Sequence, residues 1–177
     1  MENEHWKDFY KKNIAPSYPT TFARFCLDVL PYRSKIIDVG CGNYRDTNYF
    51  IENGFNATGI DLAINDLSYS ELNNDFDVIY SRFFLHALPK DELIDFIKWS
   101  ANSSQDEVLF MAECRSIGDK PVLFTDHDRS LVNGTDLMYL LQSVGFDIVY
   151  YQKATGLAKY KSEDPLVIRI IAKLCKN

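Results

Sequence analysis

Apolar and polar positions recur along this chain in distinct rhythms, and each rhythm predicts an element. Phe22, Phe25, Cys26, Val29 and Leu30 fall at i, i+3, i+4, i+7 and i+8. That spacing puts them on one face of a helix, which Thr20 or Thr21 can cap and Pro31 ends. Residues 35–39 are nearly all apolar and β-branched, as in a strand covered on both faces. A helix over 45–53 stops at Gly54, and a second strand ends on Asp61. A strand over 77–81 follows. Pro89 then opens a helix with Asp91 and Glu92 in its first turn and Leu93, Ile94 and Ile97 turned inward. Residues 107–113 read as a strand. Leu137, Leu140, Leu141 and Val144 mark a helix closed by Gly145, and strands over 146–152 and 166–174 complete the chain.

Strands alternating with helices predict an α/β fold, a three-layer sandwich around a mostly parallel sheet whose last strand is antiparallel. Residues 62–76 are too few for a helix-plus-strand unit between Asp61 and Asp77. A stunted third strand or a loop is expected over 64–72, without the usual crossover helix. The sheet edge truncated near Asp66 to Asn74 leaves room for a partner chain, and hence for a homo-oligomer.

Composition narrows the picture. A chain of 177 residues, 46% apolar and 14% aromatic, suits one folded domain over 1–177. Residues 1–33 form an N-terminal helical segment that either covers the core or lies over a ligand as a lid. Tyr10 and Tyr18 are placed to close such a lid or to pack on the surface. The formal charge of −6 excludes sequence-indifferent nucleic-acid binding and docking on anionic lipid. Cys26, Cys41, Cys114 and Cys175 are scattered and the three histidines are far apart, so no metal site is expected. No apolar run is long enough to span a membrane and none follows a basic start. A cytoplasmic, reducing setting is the expectation.

The chemistry concentrates in Asp38-Val39-Gly40-Cys41-Gly42 and in Gly59-Ile60-Asp61. Two strands each end on an acid, and the first runs into a turn with two glycines one residue apart. Such a turn brings backbone close to a ligand at the carboxyl ends of parallel strands, while the acid accepts from ribose hydroxyls. A dinucleotide fingerprint would need a third glycine where Arg45 stands, which disfavours a nucleotide-dependent oxidoreductase.

This signature resembles the cofactor-binding motif of class I S-adenosylmethionine-dependent methyltransferases. Ser81, Arg82 and Phe83 with Leu85-His86-Ala87 resemble that family's fourth strand and the segment after it. Cys41-Gly42-Asn43 with Arg45-Asp46 is closest to small-molecule methyltransferases, including the tellurite-resistance type. The tail from the His127 region to Asp164-Pro165 and Ile168-Arg169 is similar, more loosely, to methyltransferases of bacterial surface-polysaccharide loci. The resemblance implies a Rossmann-like methyltransferase sandwich that binds S-adenosyl-L-methionine. Its acceptor would be a small molecule or a saccharide, methylated at oxygen. A non-catalytic methyltransferase-like domain is the alternative.

On that resemblance Asp38, Gly40, Cys41, Gly42, Asp61, Leu62, Ser81, Arg82 and Phe83 are the candidate cofactor residues. Asp38 otherwise caps loop amides, and Asp61 is otherwise a simple strand-end acid. His86 and His127 are the candidate catalytic side chains. His86 is either a base that titrates near neutrality or a buried histidine bonded to backbone. Tyr44, Arg45, Arg115 and Arg129 are the candidate acceptor residues. Tyr44 stands where the family has a third glycine, so it either crowds the cofactor or points away. Two arginines facing one site suit an anionic group; the alternative is a solvated loop.

Overall fold

The computed structural model describes residue 7 and residues 16–118 and 131–175. The described elements are α1 (Thr21–Leu27), β1 (Lys35–Val39), α2 (Arg45–Glu52), β2 (Asn56–Ile60), β3 (Val78–Arg82), α3 (Lys90–Ala101), β4 (Glu107–Arg115), α4 (Gly134–Ser143), β5 (Asp147–Ala154) and β6 (Val167–Cys175). Short 3-10 turns cover Tyr69–Glu71 and Leu85–Ala87. Element types follow the sequence pattern, with ends displaced by a residue or two. The exception is α1, which stops at Leu27 before its apolar stripe runs out. None of the described helices is long and apolar enough to cross a membrane.

Among the described residues the strands form one sheet in the order β2-β1-β3-β4-β6-β5. The pairs β2·β1, β1·β3 and β3·β4 are parallel, and β6 runs antiparallel to both β4 and β5. Period-two alternation sends successive side chains of one strand to opposite faces. Ile37, Val39, Ile79, Phe110 and Ala112 therefore pack with Phe96, Ile97, Leu137 and Leu141 of α3 and α4. Ile36, Val78, Tyr80 and Met111 pack on the other face with Phe22 and Phe50 of α1 and α2. Two apolar layers on one sheet make the three-layer sandwich and explain why β1 and β3 are almost wholly buried. At the far edge, β5 alternates exposed and half-buried residues, as a strand with one wet face should.

No third strand forms between Asp61 and Asp77. The segment instead folds back through the Tyr69–Glu71 turn, whose start is a capping box made by Ser68 and Glu71. The Tyr69 ring lies 4.9 Å from Phe96 and 5.3 Å from Trp99, which anchors the segment on α3. This leaves β2 at the edge of the sheet.

The carboxyl ends of β1, β2, β3 and β4 open on the same side, and the start of β6 joins them because β6 runs the opposite way. Gly59, paired with Asp38 across β1 and β2, sets how tightly that corner closes. A Cβ there would lie 2.7 Å from Thr47 Oγ1 and 2.9 Å from both Cys41 Sγ and Tyr44 Cδ1. Gly59→Ala is expected to lower stability by about 1–3 kcal/mol in urea denaturation. An unchanged midpoint would mean the corner is not close-packed.

Candidate active site

After β1 the chain reverses through Gly40 and Gly42, at φ of 78° and 56°. The N–H groups of Gly40 and Cys41 both donate to Ile60 O, at 2.9 and 3.1 Å, so the elbow is fastened to the end of β2. A Cβ on Gly40 would sit 2.9 Å from Phe84; only glycine lets that ring lie against the turn.

Asp61 stands one residue beyond β2. Its Oδ2 accepts from Gly42 N–H at 3.1 Å and its Oδ1 accepts from Ala63 N–H at 2.8 Å. Elbow and acid therefore form one rim. Asn65 braces it: its Oδ1 accepts from Asp61 N–H at 3.0 Å, and its Nδ2 donates to Gly59 O at 3.1 Å and to Tyr44 Oη at 2.8 Å. Tyr44 holds a left-handed backbone, φ 62°, which costs a non-glycine residue about 1–3 kcal/mol. Its ring packs toward Gly59 and away from the cavity, so it does not block the elbow.

Asp38 is buried beneath the turn and accepts from Thr47 Oγ1 at 2.6 Å. Burial, with the nearby Asp46 carboxylate second, pushes its pKa up to about 8, against the pull of the Thr47 hydroxyl. Burial also raises the Asp61 carboxyl, opposed by the N–H groups of Ala63, Gly42 and Ile64. The Cys41 thiol is raised as well, by burial and then by Asp38 and Asp61, which suits a packing side chain and not a nucleophile.

A cavity of about 1150 Å³ opens above this rim. Asp38, Gly40, Cys41, Gly42, Asp61, Leu62, Arg82, Phe83, Arg45 and Arg115 line it. Tyr44, Ser81 and His86 do not form its wall. Ser81 is buried and its hydroxyl donates to Val39 O at 3.2 Å. His86 is buried too, and its Nδ1 accepts from Arg115 N–H at 3.1 Å. That bond puts the ring proton on Nε2 and braces the Leu85–Ala87 turn against β4. His127 and Arg129 lie outside the described residues, as does Tyr10. Among the described residues no cluster of His, Cys, Asp or Glu could hold a metal ion.

Other parts of the site have no spacing signal in the sequence. Asp46, in the first turn of α2, accepts from Thr20 N–H, Thr20 Oγ1 and Tyr80 Oη, each at 2.8 Å. The same Thr20 hydroxyl accepts from Ala23 N–H and so caps α1. This network ties α1 to the elbow helix, and Pro16, Tyr18, Thr20 and Thr21 thereby wall the cavity. The described residues from Pro16 to Leu27 thus pack on the core and wall the cavity.

Glu113, fully buried, bonds Arg82 Nε at 2.9 Å and Arg169 Nε at 2.7 Å. Arg169 Nη2 continues to Thr21 Oγ1 and Leu157 O. Phe83 adopts a left-handed backbone at φ 59°. Its ring centroid lies 4.0 Å from the Arg82 guanidinium and 5.5 Å from that of Arg115. The strained residue thus stands on the cavity wall between two cations.

Comparison with known proteins agrees with this fold. A family model described as a methyltransferase domain matches residues 10–151. No curated protein matches the chain. Among solved structures, the chain is similar to the 1,6-didemethyltoxoflavin-N1-methyltransferase of Burkholderia thailandensis, solved with 1,6-didemethyltoxoflavin and S-adenosylhomocysteine. The TM-score is 0.72 at 18% identity, over 88% of this chain and 76% of that one. A SAM-dependent methyltransferase from Methanosarcina mazei gives 0.72 at 16% identity, over 86% and 98%. TehB from Haemophilus influenzae gives 0.71 at 14% identity, over 97% and 67%. At these identities the likeness is one of fold.

The buried Asp38 sets a pH dependence. Its folded pKa, about 8, lies above the unfolded value of roughly 3.9. Its contribution to stability is therefore complete below about pH 4 and is lost as pH rises toward 8. Asp38→Asn keeps an acceptor for Thr47 but removes the titration. The fall in unfolding free energy between pH 5 and pH 8 is expected to be smaller in the variant than in the unaltered protein. Parallel pH profiles would contradict the assignment.

Proposed function

The chain belongs to the methyltransferase-domain family, a group of S-adenosylmethionine-dependent enzymes, and on that premise we propose where its cofactor sits and what it methylates. The observation that carries the reading is the Asp61–Gly42 hydrogen bond at the mouth of the cavity. It joins a carboxylate suited to ribose hydroxyls to a turn whose backbone can lie against a ligand. The cavity is large enough for a nucleoside-sized cofactor and a small acceptor together.

The residues fit that cofactor in kind. Asp61 accepts from the ribose hydroxyls. Leu62, half exposed at the mouth, gives the base an apolar flank. Gly40, Cys41 and Gly42 present backbone to the amino-acid end, with the Asp38 carboxyl beneath them. When bound, the cofactor supplies both an electrophilic methyl carbon and its leaving group. The protein then has to align the acceptor and exclude water, a task that falls to Arg82, Phe83, Arg45 and Arg115 on the wall and to the α1 segment that covers it.

The acceptor is a small molecule or a glycan-related one, methylated at oxygen. No histidine stands among the described residues of the wall, and His86 braces β4 from behind it. An oxygen that ionises readily in water needs no histidine on the described wall. The setting is cytoplasmic, which suits four free cysteines, three of them buried.

Calorimetry with S-adenosylhomocysteine is expected to show one site per chain, and radiolabelled methyl transfer then separates an enzyme from an inert binding domain. Asp61→Ala is expected to weaken the binding by about ten- to a hundredfold while thermal unfolding stays cooperative. Unchanged affinity would refute the ribose assignment.

A further inference from the structure

Charges separate by strand along the open edge of the sheet. Acids stand at the ends of β1 and β2, at Asp38 and Asp61. Guanidiniums stand at the ends of β3 and β4, at Arg82 and Arg115, and Arg169 meets them from β6 through its register partner Glu113. A cationic sulfonium cofactor suits the acidic half. The basic half is left to the acceptor.

Within that half the cations are paired unequally. Arg82 and Arg169 share the one carboxylate of Glu113, in the fixed buried triad described above. Arg115 Nη2 instead bonds Glu163 Oε2 at 2.7 Å, and both residues face the cavity. The Arg115 side chain is only 14% exposed, whereas that of Glu163 is 60% exposed. The backbone that carries Glu163 is held in place. Glu163 N–H donates to Tyr160 O at 2.9 Å and Tyr160 N–H to Glu163 O at 3.0 Å. Gly156 N–H donates to Asp164 Oδ1 at 2.6 Å, and Leu157 O accepts from Arg169 and Thr21. The Glu163 carboxylate can therefore swing into solvent while its loop stays where it is.

Arg115 is positioned for exchange. Its N–H is fixed by His86 and its guanidinium lies near the Phe83 ring. A neutral acceptor that displaced Glu163 would break this part-buried ion pair and return no charge to the Arg115 guanidinium. An acid group replaces like with like and can use the guanidinium's fork.

We propose that the Glu163 carboxylate is a placeholder for the acid group of the acceptor. The acceptor is then a carboxylate- or phosphate-bearing small molecule whose anion displaces Glu163 from Arg115. This rests on the methyl-transfer reading of the same cavity.

The test titrates the protein, saturated with S-adenosylhomocysteine, with benzoate, phenyl phosphate and the uncharged benzamide. Saturation is verified first, so a failure there counts against the methyltransferase reading and a later one against the placeholder alone. At least one of the two anions is expected to bind at least about tenfold more tightly than benzamide. Glu163→Gln is expected to tighten that anion about two- to fivefold, since an exposed ion pair no longer competes. Arg115→Gln is expected to weaken it at least about tenfold, with Arg115→Lys in between. Benzamide binding as well as both anions, no saturable binding of either anion, or unchanged or weaker anion binding in Glu163→Gln would overturn the proposal. The exposed Glu163 variant keeps the test decisive even if an Arg115 variant unfolds.

Discussion

The hydrogen bond from Gly42 N–H to the Asp61 carboxylate, 3.1 Å long, is the constraint on which the site depends. It runs between the turn after β1 and the residue after β2, so it exists only if those strands are adjacent, parallel and in register. The apolar sequence of β1 and the two layers around it secure the first two conditions. Gly59 secures the third by admitting Thr47, Cys41 and Tyr44 where a Cβ would push them out. Asn65 then fixes the Asp61 backbone by accepting from its N–H. A bond to a charged acceptor stabilises by roughly 1.5–3 kcal/mol, small beside the burial that places it. Packing sets the geometry and the polar contacts refine it.

A second principle is the fate of buried charge. Asp46 is satisfied by Thr20 and Tyr80, and Glu113 by Arg82 and Arg169. Each carboxylate links elements far apart in sequence: α1 to α2 and β3 in one case, β3 to β4 and β6 in the other. Removing a single partner from such a set costs more than the set itself contributes, because the remaining charge stays buried. These clusters therefore fix how α1 and the β5–β6 loop wall the cavity. Asp38 stands apart, since among the described residues only the Thr47 hydroxyl bonds it and burial drives its pKa up.

Much of the fold was legible because it follows local rules. The covered strands, the helix faces of α3 and α4 and the antiparallel β6 can all be read from period and punctuation. The short Asp61–Asp77 connection foretold a missing crossover helix, but not whether a stunted strand or a loop would stand there. That choice depended on Tyr69 finding Phe96 and Trp99, a tertiary contact. The elbow and Asp61 were legible for the same local reason. Tyr44 was ambiguous because its direction is set by Asn65, and His86 because its role is set by the N–H of Arg115. Glu113 and Glu163 carried no signal at all, and Arg169 none beyond the loose likeness of the tail. Their partners lie on other strands, and only the sheet order brings them together.

The central claim is that the joined ends of β1 and β2 hold the nucleoside. A crystal structure of the protein with S-adenosylhomocysteine tests it most directly. The account predicts ribose hydroxyls within hydrogen-bonding distance of Asp61, with the Gly42 N–H still bonded to that carboxylate. A ribose bound elsewhere in the cavity, with Asp61 facing solvent, would contradict it.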